Sequence, residues 1–303
     1  MQNIYFNLQK RTFFLFSFFS LLLFTSCATF SVQTGRDLKE PVAEIIVKNN
    51  EIDHTFFLIG DAGNADEINS KEALQPLKNQ LDNASKNSTL IYLGDNVYPV
   101  GMSGNKESEA YKEAVVILEN QLKITKNFKG KTIVIPGNHD WYSGLDGLNA
   151  QEEFVLNYLK DEEAFSPRKG CPIEDFEIND NITLVTVNSQ WYLEDWNKIP
   201  TINDDCTIKS REEFFLELES VLNKNEDKIT ILAMHHPLFT NGVHGGHFGI
   251  RKMLLSAEAS VPIPLIGTLY NLLRKTAGVS SQDVLNREYT NLTKRIKALV
   301  QGN

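Results

Sequence analysis

The chain has 303 residues, 42% of them hydrophobic and 23% charged, which excludes a disordered or fibrous protein and suits one large globular domain with small appendages. Its formal net charge of -9 argues against a nucleic-acid groove or an anionic membrane surface as the main partner, because phosphate-rich partners call for clustered Lys and Arg. A locally positive feature such as a metal centre is compatible with that balance.

Residues 1–27 read as a targeting segment. Lys10 and Arg11 precede an apolar stretch from Thr12 to Phe24, too short to span a bilayer comfortably. It ends in Phe24-Thr25-Ser26-Cys27, which resembles a bacterial lipoprotein box, where small residues precede a cysteine that is lipidated. The expectation is export to the bacterial cell envelope, with a lipid anchor holding the chain to the membrane and the protein facing the periplasm or the outside. An ordinary signal peptide with an incidental cysteine is the alternative. Residues 28–54 lack a sustained period and fit a linker between anchor and folded domain.

From Thr55 the pattern becomes βα. Strands are expected at 55–60, 89–93 and 131–136, each a short run of β-formers. A helix is expected around 71–84, with Pro76 marking a start or a kink. Tyr111, Val115, Leu118 and Leu122 recur at helical spacing within 108–126. Further on, 150–163 and 211–224 read as helices, 174–178 and 182–188 as a strand pair, and 229–234 as a strand. Cys171 and Cys206 flank that strand pair in loop-like sequence, and export favours a structural disulfide between them. After Gly249 the texture changes: Val261-Pro262-Ile263-Pro264 breaks regular structure, and 265–275 and 284–300 read as helical.

Four polar strings follow four of the strands directly: Gly60-Asp61-Ala62-Gly63-Asn64, Gly94-Asp95-Asn96-Val97-Tyr98, Gly137-Asn138-His139-Asp140 and His235-His236-Pro237. In an open α/β sheet, ligands gather beyond the carboxyl ends of strands. Asp61, Asp95, Asn138 and His235 can therefore converge although they lie 34, 43 and 97 residues apart. Carboxylate, amide and imidazole donors suit Fe, Mn or Zn better than a thiolate-loving ion. Singly, each has a plainer explanation. Asp61 and Asp95 could cap helices, Asn138 could be a turn residue, and Tyr98 before Pro99 could pack at a loop base. His236 reads as structural, and Trp191 with Trp196 as a packed lobe.

The four strings together resemble the calcineurin-like metallophosphoesterases, and within them the purple acid phosphatase type. Asp61-Ala62-Gly63 stands where many members carry Asp-x-His, and Tyr98 falls where a second Asp is common. The resemblance implies an α/β sandwich of two mixed β-sheets flanked by helices over 55–303, with its core at 55–245 and a helical C-terminal segment at 250–303. It also implies two metal ions: Fe(III) at a first position held by Asp61 and Tyr98, and Fe, Zn or Mn at a second held by Asn138 and His235, with Asp95 bridging. A phenol with an ordinary pKa of about 10 binds as phenolate only to a strongly acidic ion.

By the same resemblance His139 faces the phosphate and helps the leaving oxygen depart. His244 is a second substrate-facing histidine, with a solvent-facing loop residue as the alternative. The implied activity is hydrolysis of a phosphomonoester, on a small molecule or a phosphoprotein. A phosphodiesterase or nucleotidase, or a non-catalytic lipoprotein on the same fold, stands as an alternative. The oligomeric state is not readable. The family's closing Gly-His-x-His strand has no counterpart after His235; His244-Gly245-Gly246-His247 comes too soon to replace it. The expectation is therefore a fragment of a longer chain, with each metal short of one nitrogen donor.

Overall fold

Three apolar runs rich in β-branched residues form a first sheet, in which β1 (Thr55–Ile59), β2 (Ser88–Leu93) and β3 (Lys131–Ile135) lie side by side in that order. All are parallel, with Ile59 opposite Tyr92 and Leu93 opposite Ile135, so the three strands deliver their C-terminal loops to one edge. A second sheet is mixed: β4 (Ile173–Asn179) runs antiparallel to β5 (Ile182–Val187), and β5 runs parallel to β6 (Ile229–Met234). β5 is buried at every residue, as befits the middle strand of a covered sheet. Ile91, Ile133 and Ile135 of the first sheet pack with Phe176, Leu184 and Ala233 of the second. The expected two-sheet α/β architecture is thus present, with the first sheet wholly parallel and the second mixed.

This computed structural model describes residues 52–65, 71–240, 242–248 and 264–302. The expected targeting segment, nearly all of the linker and the Val261-Pro262-Ile263 break lie outside the described residues. Among the described residues no helix is long and apolar enough to cross a membrane, and no strand follows β6.

Among the described residues the α-helices are α1 (Lys71–Leu81), α2 (Glu109–Leu122), α3 (Asn138–Trp141), α4 (Gly144–Leu159), α5 (Ser189–Leu193), α6 (Arg211–Lys224), α7 (Pro264–Ala277) and α8 (Arg287–Gly302). Ser108 caps α2 by accepting from the Tyr111 N–H. The helix buries Ala114 and Leu118 against Val97, Met102 and Ala150. Ser210 caps α6 in the same way, and Glu212 and Glu213 in its first turn complement the helix dipole.

Two helices depart from expectation. α1 runs through Pro76 without a break; burial of Leu74 and Leu81 offsets the lost backbone bond, about 3 kcal/mol in a helix interior. α4 starts at Gly144 rather than 150 and takes in Gly147, a position with no room for a Cβ. A Cβ there would stand 2.3 Å from the Met102 carbonyl oxygen. Glycine spacing that reads as loop is here a close-packing requirement. The helix ends at Lys160, which adopts left-handed backbone with φ 54°.

The described residues fall into two compact units. The larger runs to Leu238 and includes the chain from Leu292 onward; it contains both sheets. Cys171 and Cys206 are disulfide-bonded within it, as expected, and the bond spans β4, β5 and α5.

The smaller unit runs from Phe239 to Asn291. In it the Arg274 guanidinium donates to both carboxylate oxygens of Asp283, from Nε at 3.0 and 3.2 Å and from Nη2 at 2.6 Å. The Ser280 N–H adds a further donor at 3.1 Å. α7 buries Asn271 and Arg274 while exposing Leu269, Tyr270, Leu272 and Leu273.

Candidate metal centre

The loops leaving β1 and β2 are laced together by their own backbones. Asp61 N–H donates to the Gly94 carbonyl at 3.0 Å, Gly63 N–H to the Asp95 carbonyl at 2.9 Å, and Tyr98 N–H to the Gly63 carbonyl at 2.9 Å. That approach requires glycine at 63, because a Cβ would stand 2.5 Å from the Asp95 carbonyl oxygen. Gly137 is required likewise, since its Cβ would fall 2.3 Å from Asp95 Oδ1. Asp61 and Asp95 both adopt left-handed backbone, with φ of 57° and 56°, at a cost on the order of 1 kcal/mol that Asp tolerates better than most residues. The turn swings both carboxylates towards one point.

Asp61, Asp95 and His235 each bring a ligand atom into a cluster whose members lie within 4.8 Å of one another. His235 Nε2 lies 3.4 Å from Asp95 Oδ1 and 3.1 Å from Asn138 Oδ1. Its other nitrogen, Nδ1, donates to the Leu93 carbonyl at 2.8 Å, which leaves Nε2 as the lone-pair end of a neutral imidazole. Asn138 Nδ2 is turned away and donates to Tyr142 Oη at 2.7 Å. An imidazole lone pair, an amide oxygen and a carboxylate oxygen thus face one another. Such acceptors repel unless a proton or a cation lies among them.

Tyr98 closes the cluster from the other side, its hydroxyl lying 2.9 Å from Asp61 Oδ1 and 2.8 Å from Asp95 Oδ2. Burial first, then Asp95 and Asp61, push this phenol far above its ordinary range, so it is protonated while no cation neutralises the carboxylates. Hard oxygen and imidazole donors, crowded with few protons between them, fit a divalent or trivalent ion. Asp61, Asp95, Tyr98, Asn138 and His235 are therefore brought together where the sequence placed them.

His139 stands beside this cluster. Its backbone N–H donates to Asp95 Oδ1 at 2.9 Å, and its Nδ1 donates to the Pro99 carbonyl at 2.5 Å. Its ring is flanked by Tyr98 at 4.4 Å and Tyr142 at 4.7 Å between centroids. His244 belongs to the smaller unit, where its Nδ1 lies 3.3 Å from Arg274 Nη2. His236 is buried against Ser189 Oγ at 2.7 Å, the structural role expected. Trp191 is fully buried beneath Trp196, again as expected.

Asp140 carries a role that the sequence reading left unassigned. Its buried carboxylate accepts from the N–H groups of Gly137 at 2.7 Å, Asn96 at 2.9 Å and Val97 at 3.1 Å, and from Asn96 Nδ2 at 3.0 Å. It thereby bolts the loop after β2 to the loop after β3. Burial is the main cause raising its carboxyl to about 6; the Gly137 N–H opposes the rise and Asp95 adds to it. The available signal was its place at the end of Gly-Asn-His-Asp, three residues after a helix-starting glycine. A cavity of about 460 Å³ lined by Lys126, Phe128, Thr132 and Tyr158 lies at the other end of β3 and shares no residue with this cluster.

Residues 54–261 match the calcineurin-like phosphoesterase family, and the chain belongs to that family. Membership implies metal-dependent hydrolysis of phosphoesters and a site that typically binds two metal ions. Comparison with curated proteins and with solved structures returned no match.

Proposed function

We propose that the chain is a dinuclear metallophosphatase of the purple acid phosphatase type, acting on phosphomonoesters of small molecules or phosphoproteins. The observation that carries this reading is the convergence of acceptors from four strand ends, with the Tyr98 hydroxyl within 2.9 Å of two carboxylates. Asp61 and Tyr98 would hold Fe(III), Asn138 and His235 an Fe, Zn or Mn ion, and Asp95 both. Bound there, the ions supply Lewis acidity worth several kcal/mol of charge stabilisation at a phosphoryl group.

The protein's own groups prepare that chemistry. The Leu93 carbonyl holds His235 in the tautomer whose Nε2 lone pair faces the site. The Pro99 carbonyl likewise accepts from His139 Nδ1, which leaves Nε2 for the departing oxygen; it can protonate that oxygen only as the imidazolium, with both ring nitrogens carrying a proton. Asp140 holds the two loops in register, so the geometry does not depend on the ligand for its assembly.

We further assign the chain to the bacterial cell envelope, held by a lipid on Cys27. The Cys171–Cys206 bond supports export, since disulfides persist in oxidising compartments.

The test is reconstitution of purified protein with iron, zinc or manganese and assay on an aryl phosphate, a diester and a nucleotide. Preferential monoester turnover, lost in Asp95→Ala and His139→Ala, is expected. A visible absorption band in the iron form that disappears in Tyr98→Phe is expected from a phenolate ligand. Inactivity with every metal across the pH range would replace this reading with that of a non-catalytic phosphatase-fold lipoprotein.

A further inference from the structure

Asn138 is an amide, and an amide that gives its oxygen to a cation has an N–H pair left over. In a buried setting those protons need an acceptor, because an unsatisfied polar group there costs about 1–3 kcal/mol. Asn138 is 8% exposed, and its Nδ2 lies 2.7 Å from Tyr142 Oη. Tyr142 follows Asn138 by four residues and caps α3, its N–H bonded to the His139 carbonyl at 3.2 Å. One helical turn therefore sets the hydroxyl beside the amide. The other end of the amide, Oδ1, is the one 3.1 Å from His235 Nε2.

We infer that Tyr142 is a positioning residue for the metal centre: its hydroxyl accepts the Asn138 N–H and so holds the amide with its oxygen towards the cation. The inference rests on the metal-site reading above. Without that hydroxyl, the amide either keeps its oxygen inward with an unpaired N–H, or turns and presents N–H to the site, which no cation accepts. The bond by which this hydroxyl reaches the ligand set is the one to Asn138 Nδ2. The ring also flanks His139, and a phenylalanine in its place keeps that contact.

The experiment is calorimetric titration of metal-free protein with Zn²⁺ alone and Mn²⁺ alone, comparing wild type, Tyr142→Phe, Asn138→Asp and the double variant. Tyr142→Phe is expected to weaken uptake at one site about 10- to 100-fold, the range for a group that orients a ligand, with the metal-free protein still folded and unfolding cooperatively. A carboxylate at 138 has no N–H to satisfy, so adding Tyr142→Phe to Asn138→Asp is expected to change affinity less than about twofold, far below that range. Wild-type affinity in Tyr142→Phe, or an equal loss in both backgrounds, overturns the inference. Wild-type protein that takes up no metal removes the metal site itself, and this inference with it.

Discussion

Two polar clusters in this chain, one buried around Asp283 and the other open at Asp61, differ in balance. In the smaller unit, the Asp283 carboxylate is matched by the Arg274 guanidinium and the Ser280 N–H, so its acceptors are met from within. In the larger unit, Asp61, Asp95, Asn138 Oδ1 and His235 Nε2 converge as acceptors, with the Tyr98 hydroxyl proton and the His139 N–H as the donors among them. A balanced cluster holds a fold together; an acceptor-rich one is built for something that arrives with positive charge. The two should therefore respond oppositely to the loss of a carboxylate.

The largest effect is expected at Asp95. Asp95→Asn should lower metal affinity beyond the roughly 100-fold typical of losing a group that only orients a ligand. The stability of the metal-free protein should hold or rise, because one of the crowded charges is gone. A metal-free protein clearly destabilised by this change, measured by urea unfolding, would erase the contrast.

Asp283→Ala should do the reverse. It strands a buried guanidinium, costing about 3–5 kcal/mol, while metal uptake titrated as before stays at the wild-type level. Cys171→Ser with Cys206→Ser lies outside both clusters. It should lower stability by about 2–4 kcal/mol for a bond spanning a loop of this size and leave metal affinity unchanged. The smallest change is Gly63→Ala, where the new Cβ meets the Asp95 carbonyl. Overpacking there should cost about 1–3 kcal/mol and weaken metal binding together with stability, marking a position at which the acceptor cluster and the fold share one contact.

Much of the larger unit was legible because its strands announce themselves. Runs such as Ile229 to Met234 have few alternatives, and α6 matches its expected bounds because Ser210 and the acidic first turn mark its start. Local signals failed where a residue answers to a distant neighbour. α4 begins earlier than its expected start, across a glycine set against the Met102 carbonyl, and Pro76 reads as a start or a kink until the burial of Leu74 and Leu81 is known. Within the site, the candidate ligands were legible from their places after strands. Asp140 and Tyr142 were not, because their work is to hold other side chains; the one mark available was the place of Asp140 three residues after Gly137.

The sequence by itself determined the chemistry on offer: four polar strings at strand ends, with carboxylate, phenol, amide and imidazole donors in a recognisable order. The tertiary structure alone decided that these groups meet, and which atom of each faces inward. Their spacing along the chain carries no distance, whereas parallel register places the exits of β1, β2 and β3 at one edge. The direction of an imidazole or an amide is set by the partner on its far side, here the Leu93 carbonyl for His235 and the Tyr142 hydroxyl for Asn138. Those partners are neighbours only once the chain has folded.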